Sequence, residues 1–355
     1  MDLFKRVMMA VYDERIATQT RPMFLASFFG KTPAERSVSE TERVHVDVIR
    51  DNRLVAVDVI RGGGVGNANI TGIFSAKEYK PPLFWEDAPI TASMLNKRLP
   101  GVDPFTPIGQ MQALAYHATT AMREMALKLE RAIEVQAAQA LQVGTIAFAN
   151  TEAVDFGKKA AHTATPAIKW DAVGGDPITD IDALATVIFG NGKMKPNTLI
   201  FGSAAWDVFI ANAVVRAYLD NRRIEAGLIN PAEIMGGATF QGRIWISDAQ
   251  YDLYSYPEFY TVGGVVCPYV IDDLVIVMNR NARLDKSFAA CEVLPHLTDE
   301  YRRMGLPAVP QLQVGEVIPF VYEKQPSALI VGIQSAPLVV TTAIDTIGTL
   351  INVDT

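Results

Sequence analysis

Charge is scarce in this 355-residue chain. Asp, Glu, Lys and Arg make up 20% of it and hydrophobic residues 49%, whereas soluble domains average roughly 25% charged. Mean hydropathy is high, at +0.15. Long apolar runs are nevertheless missing. The most apolar stretch, 328–344, is interrupted by Gly332, Gln334, Ser335 and Pro337, and a spanning helix needs about 18–20 apolar residues in a row. The first residues, with Asp2, Lys5 and Arg6 followed by Asp13, Glu14 and Arg15, do not read as a secretory signal. No membrane partner is expected, so the surplus apolar surface needs another destination.

Cysteine and histidine are also rare. Cys267 and Cys291, the only two cysteines, cannot make a disulfide framework or a Cys-rich zinc site. Both lie in apolar runs and read as buried free thiols of a reducing compartment. None of the four histidines (His45, His117, His162, His296) has a second His or Cys at ligand spacing. His296, with Asp299 and Glu300, reads as a solvated turn, and His162 as part of a polar loop.

A basic surplus is missing too. Net charge is −7 and pI about 5.3, which argues against a general phosphate-binding surface. The basic pairs Lys97-Arg98, Arg222-Arg223 and Arg302-Arg303 are scattered, with acids such as Glu225 and Glu300 nearby. The Gly62–Gly66 cluster has no P-loop ending and no helix pattern after it, so it reads as a flexible tip. Gly202-Ser203-Ala204-Ala205 is only loosely like a nucleophile elbow, and Ser203 reads as a helix cap. Asp180 and Asp182 suit a helix N-terminus rather than a calcium loop. No catalytic, cofactor or metal site is expected, and no enzyme.

What the chain does contain is contact surface in a definite order. Residues 4–16 could form an amphipathic helix, ended by Pro22. Phe24, Phe28 and Phe29 then put three rings within six residues. Each ring buries about 150–250 Å², so this segment must dock on its own chain or on another. From Arg43 to Ile60 the pattern alternates with period two, continues through a Gly-rich link, and resumes as extended chain up to Pro81. This predicts a β-ribbon, unstable without a neighbour.

Between Gly109 and Gly144 there is neither Gly nor Pro. Met111, Leu114, Ala118, Met122, Met125, Leu129 and Ile133 form one stripe at helical spacing. They predict a helix about 50 Å long, with Glu124 and Lys128 as an i, i+4 pair and one side packed on sheet. Beyond Gly144 the pattern predicts short strands and a helix capped by Thr179 or Asp180 through Phe189. A strand at 198–202 and a helix at 204–220 capped by Ser203 come next, then a helical turn at 231–235. Strands at 242–247, 273–278, 317–322 and 329–340 follow, with an aromatic-rich stretch at 251–266 that contains Gly263-Gly264. The fold class is α+β.

This order resembles the HK-97-like capsid fold of tailed double-stranded DNA phages, and more specifically the lambda major head protein family. The residues carrying the likeness are Pro22-Met23-Phe24-Leu25-Ala26-Ser27-Phe28-Phe29, Val59-Ile60-Arg61 with Gly63-Gly64, Tyr79-Lys80-Pro81 and Lys97-Arg98-Leu99-Pro100. Further along come Asp180-Ile181-Asp182-Ala183, Phe201-Gly202 with Ala205-Trp206, and Ile333-Gln334-Ser335-Ala336-Pro337-Leu338. Little matches between Arg216 and Gly305.

The resemblance implies an N-terminal arm (1–43) and an extended loop (44–95). It implies a peripheral domain (96–176 and 307–338) with a spine helix at 106–143, and an axial domain (177–306 and 339–355). It also implies a major capsid protein forming hexamers and pentamers of an icosahedral head, in the virion and in host cytoplasm during assembly. Scaffold, portal and decoration proteins are the implied partners. The acidic balance suits a wall lying close to packaged DNA without binding it. Assembly contacts are expected at Phe24, Phe28, Phe29, Ile60, Arg61, Gly63 and Gly64, and loss of residues 1–30 is expected to block assembly but leave a soluble fold. A non-viral encapsulin-like shell protein, or another oligomeric phage structural protein, is the alternative.

Physical scale supports a shell subunit independently. A globule of 38.8 kDa exposes roughly 14,000 Å², and obligate interfaces of about 2,000–5,000 Å² each can absorb a large apolar excess.

Overall fold

The structure, a computed structural model, describes residues 23–30, 38–50, 73–97, 109–148, 152–219, 227–233, 236–293, 311–324 and 328–354. The helix proposed at 4–16 and the ribbon tip with Ile60, Arg61, Gly63 and Gly64 lie outside these residues, as does His296.

One helix, Gln110–Gln142, runs for 33 residues, about 50 Å. The absence of breakers explains its length. Its stripe from Ala118 through Met122, Met125, Leu129 and Ile133 is buried, but Met111, assigned to the same stripe, is 77% exposed. The C-terminal half is buried on more than the expected side, with Glu130, Glu134, Gln136, Ala137, Ala138, Ala140, Leu141 and Gln142 all covered. The alanines let neighbouring backbone come close on several sides. Lys128 does not serve the expected partner Glu124. Its Nζ donates to Glu86 of the adjacent strand at 2.7 Å.

Phe84–Thr91 forms the edge of a three-stranded antiparallel sheet with Ala328–Ser335 and Ile318–Lys324. Val321, Val331 and Ile333 belong to the same core as the helix stripe. The ribbon's described part is Val44–Arg50 paired antiparallel with Ile73–Tyr79 over seven residue pairs.

A mixed seven-stranded sheet organises the other half. Its order is Thr163–Ala164, Ile347–Leu350, Val275–Met278, Thr198–Phe201, Ala249–Ser255, Thr239–Ile246, Gly227–Glu233. Its central strands are buried on both faces, which is why they read as unbroken apolar runs. Alternate residues serve two cores. Ile200, Tyr254, Ile276, Met278 and Ile347 face the core of the long helix. Leu199, Phe201, Leu253, Val275, Val277 and Leu350 face a second core, where Ile181, Leu184 and Ile188 of the helix Pro177–Gly192 join Phe209.

Local chemistry moved several expected boundaries. The cap of Pro177–Gly192 is Asp176, accepting from the Ile178 and Thr179 amides at 3.1 and 3.2 Å, with Pro177 in the first turn as proline prefers. Asp180 instead accepts from the Trp170 indole at 2.9 Å. Ser203 opens the next helix without capping it, its hydroxyl donating to Asp272 at 2.8 Å. That helix is not continuous to 220. It spans Ser203–Ala211, breaks where Asn212 adopts extended backbone, and resumes as Ala213–Leu219. The Asn212 side chain accepts from the Val214 amide and donates to the carbonyls of Trp170 and Gly175. Residues 231–233 are not a helical turn but the end of the strand Gly227–Glu233, where Pro231 falls in a register irregularity between Ile229 and Ala232, a place that tolerates proline.

Gly202 marks a close approach. A Cβ there would lie 2.2 and 2.5 Å from the carbonyl oxygens of Ile271 and Asp272, and backbone cannot swing aside. Gly202→Ala should therefore cost roughly 1–3 kcal/mol and lower the thermal midpoint by a few degrees. Circular dichroism melting tests this, and an unchanged midpoint would refute the contact.

Candidate assembly elements

The aromatic arm segment is built around one carboxylate. Residues 24–29 fold into a 3-10 turn, Ala26–Phe28, whose first amides have no partner within the turn. Glu134, from the buried half of the long helix, supplies one. Its two oxygens accept from the Leu25 and Ala26 amides, both at 2.8 Å, and one also accepts from the Tyr256 hydroxyl at 2.9 Å. The side chain is fully buried. Burial pushes the Glu134 pKa up to about 7, against the opposing pull of the Ala26, Leu25 and Tyr256 donors.

The arm's rings fill the space around this clamp. Phe24 packs edge-on against Phe28 at 5.1 Å and meets Tyr254 and Tyr256 at 5.1 and 5.5 Å. Phe24, Phe28 and Phe29 are all buried within their own chain. Residues on either side of 31–37 also bond to the strand Leu284–Phe288 and its flank. Gly30 donates to Leu284, Ser39 donates to Phe288, and Ala290 donates back to Thr41. Of the two docking partners the sequence left open, the structure supplies the chain itself. Loss of residues 1–30 would strip this buried carboxylate of two donors, so the segment contributes to its own subunit's packing.

Two glutamines extend the same pattern along the helix. Gln136 donates to the Pro337 carbonyl and accepts from the Val339 amide, fixing the strand Pro337–Thr341. Gln142 donates to the Tyr269 carbonyl and accepts from the Ile271 amide. Lys158 donates to the Gln142 carbonyl at 2.8 Å and to Thr349 at 2.9 Å, so a cation sits at the negative end of the helix. Burial lowers its pKa to about 8.

The remaining candidates resolve individually. His162, read as part of a polar loop, is buried at the end of the 3-10 turn Ala160–His162. Its Nδ1 lies 3.0 Å from the Ile347 carbonyl and its Nε2 3.0 Å from the Asn191 amide nitrogen, and burial lowers its pKa. Cys291 is buried as expected, but Cys267 is half-exposed. At the ribbon base Lys80 pairs with Glu42 at 2.6 Å and Arg43 with Glu78 at 3.7 Å, exposed contacts that contribute little. Among the described residues no group of three or more His, Cys, Asp or Glu side chains is placed to hold a metal ion. No helix among them is long and apolar enough to cross a membrane.

One element escaped the sequence reading. Phe259–Val262 and Val265–Pro268 form a two-stranded hairpin. Phe259, Val262, Val265 and Val266 are each 60–63% exposed. The signal was present as Gly263-Gly264 between β-branched residues, the chemistry of a type I′ turn. Both glycines take positive φ, +58° and +83°.

The architecture, with its long helix, paired ribbon strands and mixed sheet, is that of HK-97-like shell proteins. The chain is similar to a protein assigned to the capsid of a prophage in E. coli CFT073. Identity is 17%, 98% of each chain is covered, and the TM-score is 0.63. It is also similar to a phage-related protein from Bordetella bronchiseptica RB50, at 11% identity over 97% of this chain and 96% of that one, with a TM-score of 0.51. No curated protein matches. The family model for phage major capsid protein E matches residues 7–352, and the chain belongs to that family. It is therefore a phage major capsid protein, and its family is a structural one.

Glu134→Ala should leave buried donors unmet at roughly 1–3 kcal/mol each and lower the thermal midpoint. The pH dependence has a definite sign. Because the folded pKa is raised to about 7 from 4.5, this group's contribution to stability is full below about 4.5 and is lost as pH rises through about 7. Melting curves between pH 4 and 8 should show wild type losing stability with pH more steeply than Glu134→Gln. Parallel slopes would contradict the assignment.

Proposed function

We propose that the chain assembles as hexamers and pentamers into the icosahedral head that encloses the double-stranded DNA of a tailed phage. The observation that carries this reading is the match to a phage capsid family over nearly the whole chain, together with apolar surface left uncovered on a single subunit. Residues 1–43 act as the arm, 44–95 as the extended loop, 96–176 and 307–338 as the peripheral domain, and 177–306 and 339–355 as the axial domain. The strand Phe84–Thr91 ties the loop's root to the peripheral sheet through Ala328–Ser335.

Phe24, Phe28 and Phe29 serve assembly by holding the arm to its own subunit, so that its flanking residues leave at a fixed place. Ile60, Arg61, Gly63 and Gly64 touch the neighbour at the ribbon tip. Scaffold, portal and decoration proteins complete the particle, which is built in host cytoplasm. Net charge of −7 favours an inner wall that DNA approaches without sticking. The subunit works without catalysis or cofactor. The family match favours this reading over a non-viral encapsulating shell.

Negative-stain microscopy of the expressed chain, alone and with its scaffold, should show capsomers or closed shells. Monomers at high concentration under both conditions would refute the proposal.

A further inference from the structure

The hairpin Phe259–Pro268 is unusual for an exposed element. Its ten residues, Phe-Tyr-Thr-Val-Gly-Gly-Val-Val-Cys-Pro, carry no charge, although four hydrophobic side chains in it are about 60% exposed. Among the described residues neither strand has a further β partner. Proteins that leave such edges in water guard them with charge, Pro or bulges, and a two-stranded hairpin alone is marginally stable. The base is anchored rather than loose. Tyr260 meets Tyr269 at 5.0 Å, Tyr269 stacks on Tyr256 at 5.8 Å, and Tyr256 donates to Glu134. The tip therefore projects from a fixed root.

The same chain carries a recess of matching character. Trp170, Val173, Val208, Ala211 and Val214 line an open groove of about 480 Å³. Trp170 forms the buried floor, while Val173 and Val214 are exposed. Its shape is built in, since Asn212 breaks the helix there and ties the break to the Trp170 and Gly175 carbonyls.

Hairpin and groove cannot satisfy each other within one molecule. Tyr260 and Tyr269 at the hairpin root pack with the core on one face of the seven-stranded sheet. Trp170 and Val208 pack with the core on the opposite face. A contact between two different patches of identical chains is head-to-tail, and such contacts close into rings when the rotation permits. We propose that the Val262–Val265 tip of each subunit inserts into the Trp170–Val214 groove of the next copy within a capsomer. This rests on the capsid reading and names the contact that makes its ring. The Gly263-Gly264 turn places no side chain between Val262 and Val265 at the tip.

The test uses the full-length chain in a Cys267→Ser background. Val262→Asp with Val266→Asp alters exposed positions, so the circular dichroism spectrum and melting midpoint should match wild type, while capsomers and shells fall at least tenfold by light scattering. Val262→Cys with Val214→Cys should give a ladder of covalent oligomers with a short bismaleimide, and neither single variant should. Shells from wild type and the aspartate variant alike would overturn the contact and leave the capsid function standing. Capsomers without a cross-linked ladder would do the same. So would a Val262→Cys tip that labels as fast in shells as in free subunits, the result expected if the hairpin serves a different protein. A wild type that stays monomeric with scaffold would overturn both readings.

Discussion

The subunit depends on one buried carboxylate. Glu134 ties together three parts far apart in sequence: the turn at Leu25–Phe28, the long helix, and Tyr256 at the end of a central strand. Burying a carboxylate is costly unless each lone pair meets a donor, and here two backbone amides and a phenol meet it. The cost of an unmet carboxylate makes the arrangement selective. A purely apolar contact would tolerate the arm at many angles, whereas two amides aimed at two oxygens admit one. With Gln136 and Gln142 added, the helix holds the arm, the strand Pro337–Thr341 and the hairpin base through polar contacts, and apolar packing fills the space between.

Apolar content is accordingly divided between two uses. Among the described residues, two cores share the central sheet and absorb many of the Val, Ile and Leu side chains. Others stay at the surface, several of them in the hairpin Phe259–Pro268, which has too little bulk to carry a core of its own. This accounts for a chain with high mean hydropathy and no helix among the described residues able to span a bilayer.

Much of the fold was legible from sequence. The long helix followed from the lack of Gly and Pro between Gly109 and Gly144, and the ribbon strands from period-two alternation. Boundaries set by single side chains were less visible. Asp176 outcompeted Thr179 as a cap because Pro177 favours the first helical position. The break at Asn212 came from long-range bonds to Trp170 and Gly175 that no local pattern encodes. The functional elements were the hardest to see. Glu134 sits beside the apolar stripe and looks like any helical glutamate until the arm folds over it. The phenylalanines signalled docking without naming their partner. The hairpin was hidden in an aromatic-rich stretch, and the structure leaves most of its side chains at the surface.

The placement of Ile347–Leu350 carries a consequence for how the subunit is made. This strand lies inside the seven-stranded sheet, between Thr163–Ala164 and Val275–Met278, and Thr349 also receives the Lys158 ammonium. During synthesis, strands made far earlier must wait for these residues before the sheet can close. At roughly 5–20 residues per second, residue 350 leaves the ribosome some ten seconds or more after residue 163. The seven-stranded sheet therefore closes only after these residues have been made. Until then no finished sheet stands between the hairpin Phe259–Pro268 and the Trp170–Val214 groove.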